Sequence, residues 1–231
     1  MKAIILAAGK GTRMLPLTKT IPKVLIPING KPFLLYVLKS LQQAGYSYHE
    51  IAIVAGYHQE KIAEFLKVNK IPATIIEQAE PQGTAHALRQ VQFFCKQDQF
   101  IVQGGDNLFS VQDLQQVQIN DQHCYVIGKE IEEWQKYGVL VVEDGKLRRI
   151  VEKPKEFVGR MINTGLYKFT SDIWQALQNI TLSVRGEYEL TDALSLLAQQ
   201  EKVQVLPLKG NWLDLGSLED IPKIEKVLRS S

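Results

Sequence analysis

A short apolar run, AIILAA (residues 3–8), passes directly into GKGTRMLPLTKTIPKVL (residues 9–25), which carries two glycines, two prolines and four cations. The apolar run is typical of a strand that is buried on both faces of a parallel sheet. The segment after it is too rich in Gly and Pro for a long helix and too basic for a core. The sequence therefore predicts a cationic loop at the end of a buried strand, where ligands bind in open α/β sheets.

The first 110 residues or so continue this alternation of strand and helix. Further strands are predicted at residues 50–56, 73–78 and 99–107, and helices at 31–45, 58–67 and 83–94, the last with Thr84 as a candidate N-cap. Short loops separate these elements. The pattern implies right-handed crossovers and a Rossmann-like, doubly wound α/β sheet.

The second half of the chain has a different pattern. Strand-like runs occupy residues 124–128, 138–154, 163–169, 203–208 and 210–216, and helical patterns occupy 171–178, 189–201 and 217–231. Asp144-Gly145 is a strong hairpin signal. We expect one domain over residues 1–231 with a mixed sheet, in which the runs after Cys124 complete the sheet and build a lid over its edge.

Composition limits the kind of protein. The net charge is +2, which gives no case for a nucleic-acid partner. Cys95 and Cys124 lack any CxxC or Cys/His spacing, so two reduced, buried thiols are expected rather than a zinc site. The first apolar run is shorter than a signal-peptide core, and no run approaches the ~18 residues of a membrane span. A cytoplasmic protein without a membrane partner is expected.

A GxG alone in the loop would be weak support for phosphate binding. The loop lacks GxxxxGK[ST], and it lacks the third glycine of a dinucleotide fingerprint. However, LAAGKGTRMLPLT…PKVLIPINGKP (residues 6–32) closely resembles the signature loop of the sugar nucleotidyltransferases. The resemblance implies a nucleotide-diphospho-sugar transferase type of fold, with residues 1–110 or so binding nucleotide. It implies nucleotide contacts from Leu6, Ala8, Gly9, Gly11, Thr12 and Arg13.

Three further segments resemble the nucleotide and metal sites of this family. In EQAEPQGTAHAL (residues 77–88), Gln78 and Gly83 match positions that hold a pyrimidine base. In GGDN (residues 104–107), Asp106 matches a magnesium ligand near the nucleotide sugar, and in WLDLG (residues 212–216) Asp214 matches the second magnesium ligand. The family match implies that Asp106 and Asp214 meet in space, which the sequence alone does not show.

The resemblance extends to the sugar side, within residues 111–231. The segments KYGVL, VEKP, INTGLYKF and RGEYELTDAL match motifs that contact the sugar phosphate. In the family, the matching Glu of VEKP binds sugar hydroxyls and its Lys binds the sugar phosphate. In the last motif, Glu187 and Asp192 are the candidate contacts, with the start of a helix as the other interpretation of Asp192. The implied contacts are Gly138, Glu152, Lys153, Asn163, Thr164 and Glu187.

The resemblance implies a nucleotidyltransferase that joins UTP or dTTP to a hexose 1-phosphate, with glucose 1-phosphate favoured, by a single in-line displacement. Mg²⁺ is the implied cofactor, and Arg13, Lys23, Asp106 and Lys153 are the implied catalytic residues. Such a site works by positioning and electrostatics, because the attacking phosphate is already an anion.

Other functions stay open on the sequence alone. They are cytidylyl transfer to phosphocholine, guanylyl transfer to mannose 1-phosphate, and a non-catalytic nucleotide-sugar sensor. The four histidines show no metal-ligand spacing, so surface or capping roles are expected for them. The sequence ends soon after WLDLG and one helix, without the C-terminal extensions that some relatives carry. A monomer or homodimer is therefore expected.

Overall fold

A computed structural model describes residues 1–229, so Ser230 and Ser231 of the predicted closing helix lie outside the described residues. The strands are β1 (Lys2–Ala7), β2 (Pro27–Ile28), β3 (Lys31–Pro32), β4 (Ile51–Ala55), β5 (Thr74–Glu77), β6 (Phe100–Gly104), β7 (Asn107–Phe109), β8 (Cys124–Glu130), β9 (Gly138–Glu143), β10 (Lys146–Glu152), β11 (Met161–Phe169), β12 (Val203–Pro207) and β13 (Trp212–Asp214). The helices are α1 (Phe33–Gln43), α2 (Gln59–Val68), α3 (Thr84–Arg89), α4 (Gln92–Cys95), α5 (Val111–Gln116), α6 (Asp172–Gln178), α7 (Leu190–Gln199) and α8 (Asp220–Arg229).

Nine of the described strands form one sheet in the order β5-β4-β1-β6-β11-β8-β12-β10-β9. The first four of these strands are parallel, with β1 paired to β4 from Ala3–Ile51 to Ala7–Ala55 and to β6 on its other side. Antiparallel pairing begins where β11 joins β6. The predicted mixed α/β sheet is confirmed. Its four adjacent parallel strands come from the predicted alternating half of the chain, and β12 pairs in parallel with β8 in the other half.

Helices cover both faces of this sheet, as a doubly wound fold requires. Apolar residues of α1, α2, α5 and α8 pack with Ile5 and Ile53 on one face. Residues of α3, α6 and α7 pack with Ile4 and Val54 on the other. Because successive strand residues point to opposite faces, β1 and β4 must be apolar at nearly every position.

The antiparallel part contains the predicted hairpin. Asp144 (φ 50°) and Gly145 (φ 75°) both adopt the left-handed conformation, which is the two-residue turn that matches strand twist between β9 and β10. The pairing of β11 with β8 is irregular between Asn163 and Tyr167. Before this irregularity, β11 also pairs with β9 through Ile162 and Val139, so β9 lies beside residues of the predicted sugar-side motifs.

The helix predicted over residues 83–94 is wrong in two details. It is interrupted between α3 and α4, where the Val91 N–H donates to Leu88 O in a tighter turn. The side chain of Val91 is completely buried at this interruption. Thr84 is not the N-cap, because Gly83 holds that position. The Thr84 hydroxyl instead accepts a hydrogen bond from the Leu190 N–H at 3.0 Å. A tertiary contact thus takes the oxygen that the local pattern assigns to a cap.

Within residues 1–229, no helix is both long and apolar enough to cross a bilayer. Cys95 and Cys124 are buried and unpaired, as expected. Burial raises the pKa of the Cys95 thiol to about 12, so it stays protonated.

Candidate active site

The loop after β1 lies at the carboxyl edge of the parallel strands. Residues 8–25 follow β1 as a series of short 3₁₀ turns rather than one helix. Gln78 directly follows β5, and Asp106 lies two residues after β6 at the same edge. The predicted loop position is therefore observed, and the sheet brings three separate segments together there.

Gly11 shapes this loop. Its φ of 62° is left-handed, and a Cβ atom would lie 2.9 Å from Thr18 Cγ2 and 3.1 Å from Lys23 Cβ. The Thr18 hydroxyl, which is buried, donates to Gly11 O at 2.8 Å. Both the backbone angle and the close packing require glycine, and the packing brings Lys23 back against the start of the loop.

Two loop cations face the cleft in different states. Lys23 is largely buried, and its Nζ lies 2.6 Å from Asp106 Oδ2. Arg13 is exposed and forms no ion pair with any residue in the range 1–229. Its guanidinium is therefore available to an anion, with the planar geometry that suits phosphate.

Asp106 and Asp214 meet in space. β13 pairs with β7 so that Asp214 is opposite Asn107, and the Leu215 N–H donates to Asp106 O at 2.9 Å. Burial and then the charge of Asp106 raise the pKa of Asp214 to about 6, while Lys23 acts in the opposite direction. A pair of carboxylates that repel each other in a partly buried place is a strong attractor for a cation.

This pair could hold a hard divalent cation such as Mg²⁺. Carboxylate oxygens are suitable ligands, and Mg²⁺ usually takes one or two of them together with phosphate oxygens and waters. Among residues 1–229, no group of three or more His, Cys, Asp or Glu side chains is arranged for a metal. The two aspartates therefore fit a site that substrate oxygens complete.

A supporting contact behind Asp106 was not predicted. The Asn107 amide donates to Asp106 Oδ1 at 2.9 Å, and the Trp212 indole N–H donates to Asn107 Oδ1 at 2.7 Å. A Cβ atom at Gly104 would lie within 2.7 Å of both Asp106 Oδ1 and Asn107 Nδ2. Because glycine has no Cβ, this position leaves space for the hydrogen-bonded side chains of Asp106 and Asn107. Asn107 and Trp212 were both inside quoted motifs, but only strand pairing shows their connection.

Residues 77–88, the predicted base-recognition segment, are held tightly. Gln78 is only 4% exposed, and its Nε2 donates to Gly83 O at 3.1 Å and lies 2.9 Å from His86 Nδ1. Gly83 has φ 105°, and a Cβ atom there would lie 2.5 Å from Tyr188 O and 3.0 Å from Glu187 Cβ. A surface or capping role was expected for His86, but its ring contacts the side chain of Gln78, a predicted nucleotide-binding residue.

Backbone contacts join this segment to the sugar-side motif. The Tyr188 N–H donates to Gln82 O at 2.8 Å, and the Ala85 N–H donates to Tyr188 O at 2.9 Å. Together with the hydrogen bond from the Leu190 N–H to Thr84, these contacts hold residues 82–85 alongside residues 187–190. The two predicted binding motifs are thus physically connected.

Glu152 and Gly138 face each other across the β9–β10 hairpin. A Cβ atom at Gly138 would lie 2.9 Å from Glu152 Oε1, so glycine leaves room for the carboxylate. Burial raises the pKa of Glu152, Arg185 opposes this shift, and the charge of Glu189 adds to it. Acidic groups thus gather on this wall of the cleft, where hydroxyl donors could bind.

Lys153 follows Glu152 in an unusual conformation. Its φ of 43° is left-handed, and its N–H donates to Tyr137 O at 3.0 Å. A residue other than glycine in this region is uncommon and is found more often at functional sites. The turn sends the chain away from β10 and leaves the Lys153 side chain on the cleft wall.

The polar groups of β11 are mostly engaged with the protein. The Asn163 amide donates to the Tyr167 hydroxyl at 2.7 Å, and Asn163 Oδ1 accepts from the Gly165 N–H at 3.0 Å. The Thr164 hydroxyl is buried and donates to Ile127 O at 2.8 Å. These bonds fix the irregular part of β11 against the cleft.

All the predicted site residues line one cleft of about 840 Å³, which has room for a nucleotide and a sugar. They are Leu6, Ala8, Gly9, Gly11, Thr12, Arg13, Lys23, Gln78, Gly83, Asp106, Gly138, Glu152, Lys153, Asn163, Thr164, Glu187 and Asp214. The same cleft is lined by further residues that were not predicted as contacts, including Tyr137, Arg185, Glu189, Thr191 and Trp212.

Comparisons with known proteins show which family the chain resembles. The bifunctional protein GlmU of Methanocaldococcus jannaschii is 36% identical over 230 residues, which cover 99% of this chain and 54% of that protein. The chain therefore spans about half the length of this curated relative. The UTP–glucose-1-phosphate uridylyltransferase AglF of Haloferax volcanii is 34% identical over 238 residues, covering 99% of this chain and 97% of AglF.

A solved structure shows the same fold. The crystal structure of a UDP-glucose pyrophosphorylase in complex with UDP-glucose matches with a TM-score of 0.86 and 27% identity, covering 99% of this chain and 98% of that one. The sequence model of the family described as nucleotidyl transferase matches residues 2–231 of this chain. The chain belongs to the nucleotidyl transferase family, a family of enzymes.

Proposed function

We propose that this chain transfers a uridylyl or thymidylyl group from UTP or dTTP to a hexose 1-phosphate, with glucose 1-phosphate as the first candidate. The observation that carries the proposal is the distribution of charge in the cleft. Arg13 and Lys23 lie in the loop after β1, Lys153 directly follows β10, and Asp106 and Asp214 lie close together, and all five line one cleft. A site that must bring two anionic phosphates together needs this combination of cations and cation-binding carboxylates.

The relatives support the choice of substrates. AglF is named a UTP–glucose-1-phosphate uridylyltransferase, and the structural neighbour is named a UDP-glucose pyrophosphorylase. Another relative, from Sulfurisphaera tokodaii, is named a sugar-1-phosphate nucleotidylyltransferase/acetyltransferase, without a named sugar. The sugar is therefore the part of the proposal that most needs a direct assay.

The proposed reaction is one displacement at phosphorus. A phosphate oxygen of the hexose 1-phosphate attacks the α-phosphorus of the triphosphate. The bond from the α-phosphorus to the oxygen bridging to the β-phosphate breaks, and pyrophosphate leaves with that electron pair. The nucleophile is already an anion, so no general base and no covalent enzyme intermediate are needed.

The residues of the chain then have separate tasks. Arg13 binds the α-phosphoryl group and the leaving pyrophosphate, and Lys23 lies between the α-phosphoryl group and the sugar phosphate. Lys153 holds the sugar phosphate, while Glu152 and Asn163 hold sugar hydroxyls. When bound by Asp106 and Asp214, Mg²⁺ would neutralise part of the phosphate charge.

Pyrophosphate release from a grid of substrates tests this function. UTP, dTTP, CTP, GTP and ATP are each combined with glucose, N-acetylglucosamine, galactose and mannose 1-phosphates and with phosphocholine, in Mg²⁺ and in EDTA. We expect magnesium-dependent release with UTP or dTTP and a hexose 1-phosphate. Activity only with CTP and phosphocholine, or only with GTP and mannose 1-phosphate, would replace the proposed substrates. Nucleotide binding without any release of pyrophosphate would indicate a sensor.

The expected monomer or homodimer stays a prediction, which light scattering would test.

A further inference from the structure

The amide of Gln78 has its orientation fixed by the protein. The side chain is almost fully buried between Gly83 and His86. Gly83 O lies 3.1 Å from the end of this amide, and a carbonyl oxygen can only accept a hydrogen bond. The group facing Gly83 must therefore be the NH₂ of Gln78 and not its oxygen.

His86 holds the second hydrogen of the same NH₂ group. Gln78 Nε2 lies 2.9 Å from His86 Nδ1, so Nδ1 must be the unprotonated nitrogen that accepts. The opposite tautomer would place two N–H groups against each other at this distance. Gln90 Nε2 lies farther from the other ring nitrogen, at 3.2 Å, and already donates to His86 O at 3.1 Å. The shorter contact with Gln78 therefore decides the tautomer.

The remaining atom of the amide is left for a ligand. Both Gln78 and Gly83 line the cleft. Within the part of the chain that the structure describes, Gln78 Oε1 has no hydrogen-bond partner, and neither does the Gly83 N–H. The base-recognition segment thus presents one acceptor, a side-chain oxygen, and one donor, a backbone N–H.

This acceptor–donor pair distinguishes pyrimidines. Uracil and thymine carry a hydrogen on N3 beside a carbonyl oxygen, which match an acceptor and a donor. Cytosine has an unprotonated N3 beside an amino group, which is the inverse pattern. If the Gln78 amide turned over, its NH₂ group would suit cytosine instead. The two contacts that prevent this turn, with Gly83 O and with His86 Nδ1, therefore control the choice of base.

We propose that His86 is a positioning residue that adds to the selectivity of the site for uracil and thymine over cytosine, because together with Gly83 O it holds the Gln78 amide with its oxygen toward the base. The proposal deepens the proposed function and rests on it for the place where the base binds. His86 acts through Gln78 and does not itself contact the reacting atoms. The ligand class is a nucleoside triphosphate whose base carries an N3 hydrogen.

The test compares UTP and CTP binding by isothermal titration calorimetry, without sugar phosphate, in four variants. His86→Leu and His86→Ala remove the acceptor, His86→Asn keeps one near the position of Nδ1, and His49→Leu is a matched control at an exposed histidine outside the cleft. In both His86→Leu and His86→Ala, the preference for UTP over CTP falls about tenfold, as expected for one net hydrogen bond. His86→Asn restores most of it, and His49→Leu leaves it unchanged.

Two results would overturn the proposal. One is a wild-type preference that persists in both His86→Leu and His86→Ala, and the other is an equal loss in His86→Asn. Circular dichroism shows which variants are folded, and two acceptor-free variants make the result independent of either one. A wild type that binds UTP in preference to CTP but releases no pyrophosphate with any partner would overturn the proposed function and leave this inference standing.

Discussion

The two walls of the cleft are built in different ways. On the predicted nucleotide side, residues 6–25 supply the candidate phosphate loop in one continuous stretch, shaped by Gly11 and short 3₁₀ turns. On the sugar side, the candidate contacts come from β9, β10, β11 and the segment before α7. The first wall follows from local chemistry, whereas the second exists only after distant strands have paired. Substitutions should therefore act locally on one wall and cooperatively on the other.

The largest expected effect is on the local wall. Lys23→Ala or Arg13→Ala should lower kcat about 10²–10³-fold, because each removes a charge that stabilises the phosphoryl group in the transition state. The measurement is pyrophosphate release at saturating substrates, with Lys19→Ala as a control on the same loop but outside the cleft lining. Near wild-type turnover in either variant would remove that residue from the mechanism.

The next effect should separate the two walls. Lys153→Ala should raise KM for the hexose 1-phosphate roughly 10–100-fold, as expected for one charge-assisted hydrogen bond, and leave the Kd for UTP unchanged. Steady-state kinetics and calorimetry together measure both values. Lys155→Ala, at an exposed neighbour outside the cleft, serves as the control. An equal loss of UTP affinity would show that Lys153 does not belong to the sugar side alone.

A third change tests the connection between the walls. Gly83→Ala places a Cβ atom 2.5 Å from Tyr188 O at φ 105°, so residues 82–85 and 187–190 must separate. We expect kcat/KM to fall about tenfold for both substrates, from about 1–2 kcal/mol of strain and misplacement. Gly145→Ala, at φ 75° with nothing within 4 Å, is the matched control for strain outside the cleft. A loss confined to the nucleotide would mean that the walls are independent.

The smallest effect concerns stability of the antiparallel part. The buried Lys168 Nζ donates to Asp121 Oδ1, Asp121 O and His123 O. Burial acts to raise the pKa of Asp121, but hydrogen bonds from Tyr125 and Lys168 outweigh it and lower the pKa to about 2. A carboxyl group whose pKa is lowered by folding stabilises the fold above its unfolded pKa of 3.8, and this contribution is lost as pH falls toward 2.

Asp121→Asn should therefore lower Tm at pH 7 and approach the wild type near pH 2. Because the carboxylate is partly exposed, screening by solvent limits the expected shift to about 2–4 °C. Thermal unfolding followed by circular dichroism at several pH values measures it. Glu133→Gln, which breaks an exposed pair with Lys136, should leave Tm unchanged. A constant difference between Asp121→Asn and the wild type at every pH would exclude the ionic contribution.

The sequence predicts the features that depend on neighbours along the chain. The apolar run of β1, the loop after it and the Asp144-Gly145 turn each follow from residues within a few positions of one another. The family resemblance adds the candidate residues of the cleft, all of which line it. Their roles in binding and catalysis stay predictions until the substitutions above are made.

Features that depend on distant partners could not be predicted in the same way. Thr84 is a residue type that often caps helices, but its hydroxyl oxygen accepts a hydrogen bond from the distant Leu190 N–H instead. The Asp106–Asp214 pair requires β13 to pair with β7, which the residues themselves do not specify. The contact of His86 with Gln78 arises because α3 packs beside the end of β5, although eight residues separate the two in sequence.

The ion pair between Lys23 and Asp106 would couple the binding of opposite charges in the proposed site. Each side chain neutralises the other, with 2.6 Å between Nζ and Oδ2. A phosphate that recruits Lys23 leaves Asp106 uncompensated, and a cation that recruits Asp106 leaves Lys23 uncompensated. Either ligand alone must separate the pair, whereas the two together restore the balance of charge. By thermodynamic linkage each ligand should then tighten the binding of the other by the same factor, and the proposed site would select a metal–nucleotide complex over either component.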